Sequence, residues 1–166
     1  MVRLHTIVSG GQTGADQAGL RAARRLGLVT GGWAPHGYRT LAGPNLRLRD
    51  EFGLLEHASS AYPPRTAANV AAADATVRFA RAFGSAGEVC TLRAILAGGK
   101  PYFDFSVGRD GVATPSPDAL LLAFLEKHDV HVLNVAGNAE ETALGIGAFV
   151  EEFLVRALRG HVRGAS

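Results

Sequence analysis

Residues 8–20 read VSGGQTGADQAGL. An apolar run enters this stretch, Gly10, Gly11 and Gly14 interrupt it, and an alanine-rich helical pattern leaves it. Glycine-rich turns between a strand and a helix often hold phosphate, because the N–H groups at a helix start point outward and glycine lets a ligand approach the backbone. They also occur where a tight turn simply needs them. Thr13 is placed to cap the helix and Asp16 falls in its first turn, which complements the helix dipole with or without a ligand. The stretch is not a phosphate loop of the Gly-Lys-Ser/Thr type, nor the G-x-G-x-x-G dinucleotide fingerprint. By itself it is a capped turn or an anion-binding turn.

Outward from this turn, strand and helix patterns alternate. LHTIVSG (4–10) reads as a short buried strand, and Ala15, Ala18, Ala22 and Leu26 mark one face of a helix over 15–26. ATVRFA (75–80), PYFDFSV (101–107) and VHVLNVAG (130–137) are further strands. Helices are expected over 65–73, 87–98, where Gly98 and Gly99 end the pattern, and 117–128. Over 146–159, Ile146, Phe149, Val150, Phe153, Leu154, Ala157 and Leu158 keep helical spacing. Strands separated by helices of this length predict a Rossmann-like, doubly wound α/β fold with a mainly parallel sheet and helices on both faces. Residues 31–64 are the exception: rich in Gly, Pro and Arg, without periodicity, they read as a long functional loop.

The chain has 166 residues, 47% hydrophobic and 19% charged, enough for one domain over 1–166 with its own core. A net charge of +2 is weak ground for nucleic-acid binding, which is not expected. The single cysteine, Cys90, leaves no internal disulfide and fits a reducing compartment. The apolar stretch in MVRLHTIVSGG is too short for a signal peptide and no window suggests a membrane span, so the expected location is the cytoplasm.

Two further motifs carry polar chemistry. FGSAGEVCT (83–91) is a second glycine-rich strand-to-helix turn, so Gly84, Ser85 and Gly87 place a second helix start at the same sheet edge. Two such ends can hold one polyanion between them, or be two ordinary turns. Glu88 repels a neighbouring phosphate unless it bonds a sugar hydroxyl, a ring nitrogen or a metal. In YPPRTAANV (62–70), Arg65 and Thr66 are expected at a helix start after a Pro-Pro turn, with Asn69 one turn on. A guanidinium there grips phosphate or carboxylate in bidentate fashion.

With these residues in view, the chain resembles the circularly permuted YpsA-like family, whose members are described as molybdenum carriers. It belongs to a wider SLOG group of Rossmann-like proteins that also contains the cytokinin-activating phosphoribohydrolases. VSGGQTGADQAGL, GGWAPHGYR (31–39), YPPRTAANVAAADAT (62–76) and HVLNVAG (131–137) follow the family in order and spacing over almost the whole chain. The resemblance implies the Rossmann-like fold, homodimers or homotetramers, and binding of molybdenum cofactor or a nucleotide-like ligand. Carried over by position, the site is Gly10, Gly11, Thr13, Gly14 and Asp16, then Gly32 and Trp33, then Arg65, Thr66 and Asn69.

The chain departs from the family pattern in four places. Ala34 and His36 stand where the family usually has Cys and Lys, and Asn138 where it has proline. GSAGEVCT (84–91) replaces its Gly-Gly-Thr, and Thr91 stands where the phosphoribohydrolases keep a catalytic glutamate, with Glu88 three residues earlier. No release of free base from nucleoside monophosphates is therefore expected.

Other chemistries fare poorly. None of the six histidines (5, 36, 57, 128, 131, 161) has zinc-like spacing, and no metal site is expected. Cys90 sits in an apolar helix and reads as a buried small side chain. Trp33 either stacks on a flat heterocycle or anchors a core or interface. The expected function is a carrier or store of molybdenum cofactor, a phosphorylated pterin held at the carboxyl edge of the sheet, with molybdoenzymes as recipients. The alternatives are a nucleoside monophosphate phosphoribohydrolase using Glu88 or Asp16, and a sensor of nucleotide derivatives. Apolar surface on the 87–98 and 146–159 helices adds an expected homodimer or homotetramer.

Overall fold

The structure, a computed structural model, describes residues 2–108 and 116–163. Its main sheet has five strands in the order β2-β1-β9-β7-β8, all parallel: β1 (Thr6–Val8), β2 (Val29–Gly31), β7 (Ala75–Ala80), β8 (Tyr102–Ser106) and β9 (Val132–Gly137). The helices are α1 (Ala15–Arg25), α2 (Arg47–Asp50), α3 (Tyr62–Ala72), α4 (Ala86–Gly98), α5 (Pro117–Lys127) and α6 (Ile146–Leu158). This is the expected Rossmann-like arrangement. No helix among the described residues is long and apolar enough to cross a membrane.

Strand alternation sorts the side chains of the central strands into two unlike faces. Val77 and Phe79 of β7 and Leu133 and Val135 of β9 join the main core with α1, α5 and α6. Phe79 stacks on Phe105 and meets Phe153 edge-on. Gly19 lets α1 lie close on the sheet, since a Cβ there would come within 2.7 Å of the Val135 side chain. The alternate residues Thr76, Arg78 and Asn134 are polar and still buried, on the face that carries α3 and α4. Asn134 donates to the Thr76 hydroxyl. That polar inner face positions the site.

Residues 31–64, expected as one irregular loop, contain short elements instead. β3 (Trp33–Ala34) pairs with β6 (Leu55–Glu56), and β4 (Arg39–Thr40) with β5 (Gly43–Pro44), beside a 3-10 turn at His36–Tyr38. They enclose a second small core of Leu20, Ala34, Tyr38, Leu48 and Leu54. Strands of two residues have no period to read, so composition alone showed through. α3 also begins earlier than 65: Pro63 and Pro64 lie inside its first turn, where a missing N–H costs nothing. Arg65 and Thr66 are thus one turn into the helix, and Thr66 is not a cap.

The α6 stripe is used up within the chain. Ile146, Val150, Phe153, Leu154, Ala157 and Leu158 are buried in the main core, and Phe149 alone of that stripe stays 40% exposed. The argument for self-association from α6 therefore falls. On α4, Ile95 is buried while Leu96 faces solvent.

Candidate functional site

The chain crosses from β1 to β2 on one side of the sheet and from β7 to β8 on the other, so a crevice opens beyond the carboxyl ends of the central strands. A cavity of about 480 Å³ lies there. Gly10 and Asp16 enter it from the β1–α1 turn, Arg65, Thr66 and Asn69 from α3, and Ser85, Gly87, Glu88 and Thr91 from the start of α4. Gly11, Thr13, Gly14, Gly32, Trp33 and Gly84, also expected at the site, do not line it. Gln12, Tyr62, Cys90, Asn134 and Asn138 do, and were not expected there. Cys90 is half-buried on the cavity wall rather than enclosed in the helix packing.

The first turn is already hydrogen-bonded by its own neighbours. The amide of Gly11 donates to the Ser9 hydroxyl, that of Gln12 to Asp16 Oδ2, that of Thr13 to Gln12 Oε1, and that of Ala15 to the Asn138 carbonyl. Of the two readings the sequence left open, a capped turn or an anion-binding turn, these bonds favour the first, because these donors are spent on structure. Thr13 does not cap α1; its hydroxyl bonds Glu141, and the N-cap is Gly14, held at φ 81. A Cβ on Gly14 would meet the backbone of residues 138–140, which crosses directly over the turn. Gly11 turns its α-carbon toward Leu48 and Leu54, so a branched residue there tests packing rather than binding.

Arg65 reaches back from α3 to Asp16, with Nη1 3.5 Å from Oδ2, and both side chains are almost enclosed. The guanidinium also lies 5.4 Å from the Tyr62 ring centre and abuts the α-carbon of Gly10. Asn69 works for the fold: its amide accepts from the Trp33 N–H and donates to the Trp33 and Arg65 carbonyls. The Trp33 ring meets His57 edge-on, outside the cavity. Tyr62 is the aromatic ring of the cavity wall, and its position beside a proline pair was the available clue.

The start of α4 is where donors remain. Ser85 is the N-cap, its hydroxyl accepting from the Glu88 amide. The amides of Ala86 and Gly87, at the first two helical positions, have no acceptor within the helix and sit in exposed residues on the cavity rim. Below them lies a buried ionic cluster. Arg78 is 1% exposed; its Nε and Nη2 bind Asp104 bidentately at 2.8 and 2.6 Å, and its Nη1 donates to the Glu88 carbonyl. Glu88 Oε2 is 3.5 Å from Arg78 Nη1 but accepts no hydrogen bond among the described residues. Arg78 and Asp104 were missed, although an arginine two places from Thr76 in a buried strand marks a polar face. Among the described residues no group of three or more His, Cys, Asp or Glu is placed to hold a metal.

Burial pushes the Asp16 carboxyl up to about 6, against the pull of Arg65 and the Gln12 and Gly10 amides. It pushes Glu88 up to about 7; Arg78 opposes this, and the charges of Asp16 and Asp104 add to it. Both groups keep a proton in the folded chain that the unfolded chain has released, so stability falls as pH rises between the unfolded and folded values. The melting temperature is expected to drop by about 5 °C from pH 5 to pH 8, and by clearly less in Glu88→Gln. The carboxylates held low, such as Asp74 and Asp118, act below this window. Thermal melts across the range check this; a parent curve that rises toward pH 8 contradicts it.

The model of the circularly permuted YpsA SLOG family matches residues 7–158. The crystal structure of a "Putative molybdenum carrier protein" from Syntrophus aciditrophicus SB superposes with a TM-score of 0.82 at 27% identity, over 92% of this chain and 94% of that one. No curated protein matches the chain.

Proposed function

Because the chain belongs to the circularly permuted YpsA SLOG family, we propose that its cavity binds a phosphorylated heterocycle, molybdenum cofactor foremost, and carries or stores it in the cytoplasm. The observation that carries this reading is the rim of the cavity, where the open amides of Ala86 and Gly87 adjoin a partly open space of about 480 Å³. Helix-start amides suit a phosphate, and the volume suits a tricyclic or bicyclic ring system. Tyr62 lines the cavity as an aromatic surface for the ring, with the Arg65 guanidinium, paired to Asp16, beside it. Cofactor held this way would be cargo, shielded from water until a molybdoenzyme takes it. The Syntrophus protein, described as a carrier, supports the reading. A homodimer with exposed Leu96 in its contact belongs to the same proposal.

One observation favours turnover as the alternative. Two carboxyls, Asp16 and Glu88, line the cavity with proton affinities near neutrality, as an acid–base pair for N-glycosidic cleavage requires.

Ala86→Pro tests the binding mode. Proline suits the first position of a helix, and Ser85 already has the extended backbone that a residue before proline prefers (φ −68, ψ 158). The variant should fold normally while lacking one rim amide. A charge-assisted hydrogen bond is worth about 1.5–3 kcal/mol, so calorimetry should show affinity for a pterin or nucleoside monophosphate reduced about tenfold or more. The unphosphorylated ligand should bind both proteins equally. Unchanged affinity for the monophosphate places the phosphate elsewhere.

A further inference from the structure

The interior of the cavity carries more acid than base. Asp16, Glu88 and Asp104 face only two guanidinium groups, Arg65 and Arg78, and each guanidinium already lies against a carboxylate. A phosphate placed at this depth meets Asp16 and Glu88 at close range in a medium that screens poorly. The rim at the start of α4 differs, with the open amides of Ala86 and Gly87. The ligand therefore has an orientation: phosphate at the α4 rim, ring inward.

Two buried side-chain atoms of the cavity make no hydrogen bond among the described residues, Glu88 Oε2 and Arg65 Nε. Both residues line the cavity, and Glu88 is 3% exposed. Buried polar atoms in a native fold are almost always satisfied, and one left open beside a cavity is a place for a ligand group. Once its proton is off, Glu88 only accepts, so the group the ionised side chain takes is a donor. The ionised form excludes a bare ring nitrogen, whose lone pair faces the oxygen lone pairs, whereas the protonated form would donate to it. Asn134 and Asn138 also line the cavity, but their amides are engaged, Asn134 with the Thr76 hydroxyl and Asn138 with the Arg81 N–H and the Ala82 carbonyl.

We infer that Glu88 reads the N–H donor edge of the ligand ring, so that the cavity selects a heterocycle of the 2-amino-4-oxo type, such as guanine or pterin, over adenine. In such rings a ring N–H and an exocyclic amine stand side by side and match the two oxygens of one carboxylate. Adenine presents an unprotonated ring nitrogen on the corresponding edge. Arg78 is a positioning residue here: its bond to the Glu88 carbonyl and its grip on Asp104 fix the carboxylate at the cavity floor. This rests on the phosphorylated-heterocycle reading above, and it adds the ring class and the residue that reads it.

Calorimetric titration with GMP, IMP and AMP at pH 8, above the Glu88 value of about 7, tests it, since all three present the same phosphate. GMP is expected to bind at least tenfold more tightly than AMP, with IMP, which lacks the exocyclic amine, in between. Glu88→Gln should bring GMP and AMP to within about twofold of each other by weakening GMP, because an amide pairs with either edge. The series on the parent protein stands even if that variant fails to fold. Equal binding of GMP and AMP by the parent overturns the ring selection and leaves the monophosphate reading intact. A preference that survives in folded Glu88→Gln assigns the selection to another residue and overturns the role of Glu88. No binding of GMP, AMP or a pterin monophosphate at millimolar concentration removes both readings.

Discussion

Replacing Arg78 with Met is expected to destabilise the fold by about 3–5 kcal/mol, although methionine fits the space and the strand. The arginine is 1% exposed in a central strand, with hydrogen bonds from Nε and Nη2 to Asp104 and from Nη1 to the Glu88 carbonyl. Removing it leaves those acceptors facing apolar atoms. Asp104 has a side chain 31% exposed and recovers part of its hydration, whereas Glu88, at 4%, does not. The loss should therefore lie toward the lower end of the range. Neutralising the orphaned partner separates charge from packing: Glu88→Gln in the Arg78→Met background should regain part of the loss. Urea unfolding at pH 7 measures both. A loss below about 1 kcal/mol for Arg78→Met means that water or a rearranged side chain already satisfies the cluster.

The same cluster shows why the site was only half legible in the sequence. Periodicity found α1, α6 and the apolar strands, because each buries an apolar face at regular spacing. α4 stands where expected, but it buries Glu88, Thr91 and Ile95 rather than the expected stripe of Val89, Leu92 and Leu96, and Leu96 is exposed. In ATVRFA the strand pattern was read correctly, but the arginine was passed over as one residue in an apolar run. Its meaning depends on Asp104, one strand away, and on Glu88, on the helix that follows the strand. Nothing local links those three. The motif at 10–16 shows the converse. It pointed to the right end of the sheet, yet its amides bond Ser9, Gln12 and Asp16. Hydrogen-bond partners are set by how the turn closes on itself, and a list of glycines does not record that. Asp16 and Glu88 were found because each follows a glycine-rich strand-to-helix turn, and Arg65 because it follows the Pro-Pro pair. Trp33 was expected by its aromatic character, but Asn69 ties its backbone to α3 and its ring turns to His57. Residues 31–64 resisted because four two-residue strands and one four-residue helix hold their shape through a small shared core, not through local pattern.

Gly137→Ala is expected to cost about 4 kcal/mol or more and to leave little folded protein. Gly137 ends β9 opposite Phe79 of β7, at φ +147, where side-chain-bearing residues are rarely found. A Cβ on it would overlap the Phe79 carbonyl oxygen, and the Phe79 nitrogen and carbonyl carbon would each lie 2.8 Å away. These are backbone atoms of a neighbouring central strand, with no rotamer through which to retreat. The same carbonyl oxygen accepts from the Asn138 amide at 2.9 Å, so pushing it aside also breaks the bond that turns the chain into the cavity wall. Gly145→Ala is the control. Gly145 has φ +86 at the start of α6, but an added Cβ meets nothing within 4 Å. It carries the conformational penalty alone, about 1–2 kcal/mol. Urea unfolding of the two variants separates backbone preference from backbone collision. If both lose the same amount, β7 and β9 part without cost at Phe79, and the close approach there does not hold the end of the sheet on which the cavity is built.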